Sequence, residues 1–115
     1  MPLTDNQSRE RIRDLNDRFR KTLDPTLGRM LLTAAVDALP SDVRAKAIRT
    51  VATFDVFSAD NDPHGEHDFG SFELCDDKFF WKLDYYDRNL EFGSDDPADP
   101  SKTTRVLTLM LAEEY

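Results

Sequence analysis

The chain has 115 residues, 39% hydrophobic and 33% charged, with eight Phe, three Tyr and one Trp. That is apolar mass for one globular core, which excludes a disordered tail. The formal net charge of −8 is unevenly placed: residues 1–54 hold 10 Lys/Arg against 7 Asp/Glu (+3), and residues 55–115 hold 5 against 16 (−11).

A field of that sign repels nucleic acid and membrane surfaces, and it suits cations or a basic protein surface. Solubility alone would explain the same charge. No apolar run approaches the roughly 20 residues needed to cross a bilayer. The lone Cys75 excludes an internal disulfide and a zinc ribbon. The first residues lack the basic and apolar regions of a signal peptide, so the expectation is one cytoplasmic domain over residues 1–115.

Thr4 and Gln7 have capping-box spacing, which starts a helix at Asp5. Ile12, Leu15 and Phe19 form a narrow apolar stripe on it. The surrounding Arg9, Arg11, Arg13, Arg18, Arg20 and Lys21, interspersed with Glu10, Asp14 and Asp17, read as a solvated face. Pro25 and Gly28 end this helix. Residues 29–37 are short and almost continuously apolar; both a strand and a short helix fit, and the bracketing Gly28 and Pro40 favour a strand. Ser41 is a natural N-cap with Asp42 in the first turn. Val43, Ala47, Ile48, Val51 and Phe54 share one face, predicting a helix over about residues 42–56.

The next stretch, Asp60 to Gly70, contains both histidines, four carboxylates and two of the four glycines, and reads as a loop. Phe69 to Cys75 then predicts a strand, Asp76-Asp77-Lys78 a three-residue turn, and Phe79 to Tyr86 the second strand of a hairpin. Alternation puts Phe79, Trp81, Leu83 and Tyr85 on one side and Phe80, Lys82, Asp84 and Tyr86 on the other. Asn89 to Gly93 predicts a further short strand, Ser94 to Pro100 an acidic surface loop, and Thr104 to Leu111 a last strand apolar on both faces. The fold class expected is α+β, with two helices packed on one face of a mostly antiparallel sheet of about four strands.

Four segments carry a family resemblance. They are Asp60-Asn61-Asp62-Pro63-His64-Gly65-Glu66-His67-Asp68-Phe69-Gly70, Phe80-Trp81-Lys82-Leu83-Asp84-Tyr85-Tyr86-Asp87, Asp96-Pro97-Ala98-Asp99-Pro100, and the terminal run Arg105 to Tyr115. Together they resemble the bacterial domain-of-unknown-function family numbered 3768, over nearly the whole chain. The resemblance implies a small stand-alone bacterial protein of a kind often found on plasmids and other mobile elements. It implies no particular activity.

Two chemical readings of these residues compete. In the first, the central loop takes a divalent metal. Asp60, Asp62, His64, Gly65, Glu66 and Asp68 fall at positions 1, 3, 5, 6, 7 and 9 of a calcium loop, but Ser71 stands where a bidentate Glu is needed. A transition-metal version would use His64 and His67 with Asp62, Glu66 or Asp68, and a metal-bound water with Glu66 as general base would make the protein a hydrolase. The competing account of the same loop is structural, with Asp and Asn side chains capping turns.

In the second reading the protein is not an enzyme but a binding module. Its acidic Asp95, Asp96 and Asp99 and its aromatic strand face with Phe80, Lys82 and Tyr86 dock on a basic protein. For a mobile-element protein, such a partner suggests inhibition of a host nucleic-acid-binding defence system. No complete catalytic constellation is present, which favours the binder. A homodimer fits the same surfaces.

Overall fold

The computed structural model describes residues 3–115. The first helix, α1 (Asp5–Thr22), starts at the predicted capping box. The Gln7 amide donates to the Thr4 hydroxyl, and the Thr4 amide donates back to the Gln7 side chain. It ends where Leu23 turns left-handed (φ 52°) and donates its N–H to the Phe19 carbonyl.

The predicted strand over residues 29–37 is split. Strand β1 (Gly28–Leu32) runs parallel to the last strand and stops when the Thr33 N–H takes the Leu109 carbonyl. A one-turn helix, α2 (Ala34–Asp37), follows and swings Val36 fully into the core. Two alanines and the Thr33 corner make that turn cheap. Gly28 is required because a Cβ there would lie 2.2 Å from the Arg105 carbonyl oxygen. Helix α3 (Ser41–Thr53) ends three residues before the predicted point, and Pro40, not Ser41, is its cap. The cap assignment shifts by one because Pro40 and Ser41 straddle the helix start, where boundaries are soft.

Strands β2 (Phe69–Leu74) and β3 (Asp77–Tyr86) form the predicted hairpin, with a tighter turn. Cys75 is not in a strand. It and Asp76 make a two-residue loop with both φ positive (53° and 67°), the backbone whose twist matches a hairpin. Cys75 is therefore exposed and not a core residue. Asn89 to Gly93 forms no strand; Gly93 makes only an isolated bridge to Tyr86. Strand β4 (Thr104–Leu111) closes a sheet of order β1-β4-β3-β2, antiparallel except for the β1–β4 pair. The fold class is α+β, as expected from the sequence.

Helices α1, α2 and α3 lie on one face of the sheet. Leu15 and Phe19 of α1, Val36 of α2, and Ala47 and Val51 of α3 pack on Phe79, Trp81 and Leu83 of β3 and on Leu107, Leu109 and Leu111 of β4. Trp81 is completely buried and meets Phe54 and Phe57 edge-on. Gly70 makes room for this contact, since a Cβ there would sit 2.4 Å from the indole nitrogen and 2.9 Å from the Phe54 ring. None of these three helices covers the opposite face, where Tyr115, following a short 3-10 turn at Ala112–Glu114, packs on Phe69 and Phe80. No helix among the described residues is long and apolar enough to cross a membrane.

Candidate functional site

The loop between α3 and β2 is built by its own side chains. The Ser58 amide donates to the Asn61 side-chain oxygen (2.8 Å), and the Asn61 amide group donates to the Val56 carbonyl (2.9 Å). Asp62 is buried, and its Oδ1 accepts the backbone N–H groups of Glu66 and His67, both at 3.1 Å. These bonds hold His67 in a left-handed conformation (φ 55°), where a non-glycine residue is strained.

That backbone aims the His67 ring at α1. Its Nδ1–H donates to Asp17 (2.9 Å to Oδ1), its face stacks on Phe57 (centroids 3.8 Å apart), and its Nε2 lies 3.7 Å from Asp62 Oδ2. Asp17 also accepts from Arg20 Nη2 (2.9 Å). Arg20 is buried, stacks over Trp81 and Phe57, and donates Nη1–H to the carbonyls of Val51 (2.6 Å) and Phe54 (3.0 Å). It closes the C-terminus of α3. The expectation that Arg20 belongs to a solvated face is thereby corrected: at i+8 from Ile12 it falls on the buried stripe, and its charge is matched by two carbonyls and a carboxylate.

A second polar network adjoins the first. Tyr85 donates its hydroxyl to Glu66 Oε1 (2.8 Å) and accepts from the Asn16 amide (2.8 Å), which also donates to the Glu66 carbonyl (3.0 Å). Asn16 Oδ1 accepts from Nε of the fully buried Arg105 (2.7 Å), whose Nη2 donates to the Pro97 carbonyl (2.6 Å). Burial pushes the Tyr85 phenol well above its ordinary range, so it acts as a hydrogen-bond donor. Burial also raises Asp68, with the neighbouring Glu66 charge adding to it, and lowers Arg105. Three elements and two loops are thus tied together through Asn16.

The expected metal ligands separate under this geometry. Asp62, Glu66 and His67 are brought together, but as capping and bridging groups. Asp68 is half-buried beside them, and Asp60 and His64 are exposed. Among the described residues no three His, Cys, Asp or Glu side chains converge to hold a metal ion. A cleft of about 430 Å³ opens beside this cluster, between Asp17, Lys21, Asp55, Phe57 and His67.

Residues 32–114 match the family described as "Protein of unknown function (DUF3768)". The chain belongs to this family. No curated protein and no solved structure matches it. The matched DUF3768 segment contains the loop, Tyr85 and Arg105, whereas α1 with Asn16, Asp17 and Arg20 lies outside it.

The expected protein-binding residues fall on two surfaces. Phe80, Lys82 and Tyr86 are on the sheet face that no helix covers. There Phe80 packs with Phe69 (5.4 Å) and Tyr115 (5.1 Å), and Lys82 pairs with Asp84 (3.1 Å). Asp95, Asp96 and Asp99 are in the loop entering β4, on the helix side, where the Ala98 carbonyl accepts from Arg11 of α1 (2.7 Å). Asp95 and Asp96 are exposed. The Asp99 carboxylate instead accepts from the Ser101 hydroxyl and amide, which hold it below the usual carboxylate range.

Sequence reasoning missed Asn16, Asp17, Arg20, Phe57 and Arg105. The available signal was the stripe itself: Asn16 and Arg20 continue Ile12 at steps of four, and polar residues on a buried stripe need partners.

Proposed function

We propose that this protein is a binding module for a basic protein, engaged through the uncovered face of its sheet and the acidic residues beside it. The observation that carries this reading is the division of β3. Its Trp81 side is sealed by helices, and its other side presents Phe80 and Tyr86 with no helix over them. Aromatic groups next to charges are what binding hot spots are made from. The charge of −11 over residues 55–115 would steer a basic partner towards this half of the chain. Asp95, Asp96 and Asp99 form a separate acidic surface of the same sign.

In the bacterial, plasmid-borne setting that the family resemblance implies, such a partner is a nucleic-acid-binding protein of a host defence system. The acidic protein would occupy the partner's phosphate-binding surface in the cytoplasm. The alternative, a metal-dependent hydrolase on the 60–68 loop, needs Asp62 and His67 to give up their bonds to backbone and to Asp17. Metal content of the purified protein, and its melting point with EDTA, test that alternative directly.

The binder is tested by placing a photo-reactive phenylalanine at Phe80 or Tyr86 and irradiating expressing bacterial cells. The expected product is a crosslink to a basic protein. Its association rate with the purified chain should fall about tenfold or more between low and physiological salt. No crosslink from either position, or a partner indifferent to salt, overturns the reading.

A further inference from the structure

The sheet has two free edges, and they differ. Strand β1 has five residues, bears the exposed Arg29 and is cut off by α2. Strand β2 has six residues, and Ser71 and Glu73 on it are exposed. The Leu83 N–H donates to the Asp68 carbonyl (2.8 Å), which sets the hydrogen-bonded pairs of this antiparallel ladder at positions 68, 70, 72 and 74. The N–H and C=O groups of Phe69, Ser71 and Glu73 therefore point away from β3. Among the described residues no backbone group bonds to them from outside the hairpin. Such an edge is a template for another strand.

Charge selects what the edge would accept. From Asp60 to Asp77 the chain carries seven carboxylates and no Lys or Arg, and β2 lies within this run. A second copy would bring two such runs, and two chains of net charge −8, edge to edge. An extended segment rich in Lys and Arg meets the opposite sign. Alternate residues of that segment share the face of Phe69, Ser71 and Glu73, so its basic side chains would lie across from Glu73 while their aliphatic stems cover Phe69.

We propose that the free edge of β2 is the docking site for an extended basic segment of the protein partner, which adds to the sheet as a fifth, antiparallel strand. This rests on the reading of the protein as a binder of basic proteins and states how the contact is made. Main-chain bonds to Phe69, Ser71 and Glu73 supply the register, and the surrounding carboxylates supply the preference for a basic segment. The added strand extends the open face beside Phe69.

The test uses the full chain and a fluorescent octapeptide of alternating Lys and Val, read by anisotropy. A control peptide of identical charge is N-methylated at its two central amides, one on each strand edge. The unmodified peptide should bind, and methylation should weaken it about tenfold or more, as should Ser71→Pro in the protein. Proline at this outward position removes no bond to β3. If Ser71→Pro lowers the melting point, Glu73→Lys replaces it, and the peptide comparison on the native chain stands in any case. Equal binding of both peptides overturns edge pairing but leaves the basic-partner reading intact. Binding of neither overturns edge pairing, and the broader reading is then decided by the crosslink from Phe80. A dimer in light scattering that Ser71→Pro dissolves assigns the edge to a second copy and also overturns the proposal.

Discussion

Along β3, neighbouring residues have opposite surroundings. Trp81 is sealed under α1, α3 and the loop that joins α3 to β2, with Arg20 stacked on it. One residue earlier, Phe80 faces the other way and is partly covered by Phe69, Tyr115 and the Lys78 ammonium, 5.4 Å from its ring. The helix side is held by buried polar groups whose partners come from distant parts of the chain. The open side is held by contacts between adjacent strands and by Tyr115, which reaches Phe69 and Phe80. One side is thus committed to stability, and the other is left available for contact.

Substitution can break this comparison, and the largest effect should come from its centre. Trp81→Ala is expected to cost about 3–5 kcal/mol in urea unfolding, whereas Phe80→Ala should cost about 1 kcal/mol or less. Comparable losses at both positions would mean that the open face is as structural as the core. Gly70→Ala should cost about 1–3 kcal/mol, because its Cβ must displace the Trp81 indole or the Phe54 ring. Asn16→Leu should cost a similar 1–3 kcal/mol or so. It leaves Arg105 Nε and the Glu66 carbonyl without their partner, in a place where Arg105 Nη1 already lacks one.

A smaller effect sharpens the comparison through pH. Burial raises Asp68 above its ordinary 3.8, so the folded chain holds that proton more tightly than the unfolded chain. Its contribution to stability is complete below the unfolded value and is lost as pH rises through the folded one. Asp68→Asn should therefore lose less melting temperature than the native chain between about pH 4 and pH 7. A parallel pH profile would place Asp68 in contact with solvent. Smallest of all, Lys82→Ser on the open face should change stability by no more than about 0.5 kcal/mol. The exposed pair it makes with Asp84 is of the kind that contributes little.

Much of the fold was legible because its signals are local. The capping box at Thr4, the apolar face of α3 and the alternation in β3 each depend on residues within a few positions of one another. The misreadings share a cause. The path of residues 29–37 depends on Leu109 receiving the Thr33 N–H and on the core receiving Val36, and neither is near in sequence. The two-residue turn at Cys75 and Asp76 needs a pair of left-handed residues, and neither is a glycine to announce it. In the loop, the carboxylates and histidines stood out by composition, but their use did not. Asp62 reads equally well as a metal ligand or a cap until the amides of Glu66 and His67 are placed around it.

The types of α1, α3, β2, β3 and β4, the two faces of β3 and the uneven charge were determined by the sequence alone, since propensity, alternation and net charge need no partner to be defined. Only the tertiary structure decided that α1, α2 and α3 share one face, that Arg20 and Arg105 are buried, and that His67 turns towards Asp17. Each of these depends on groups roughly 30 to 90 positions apart meeting in space, and the free energy of a buried polar group is set by the partner it meets there.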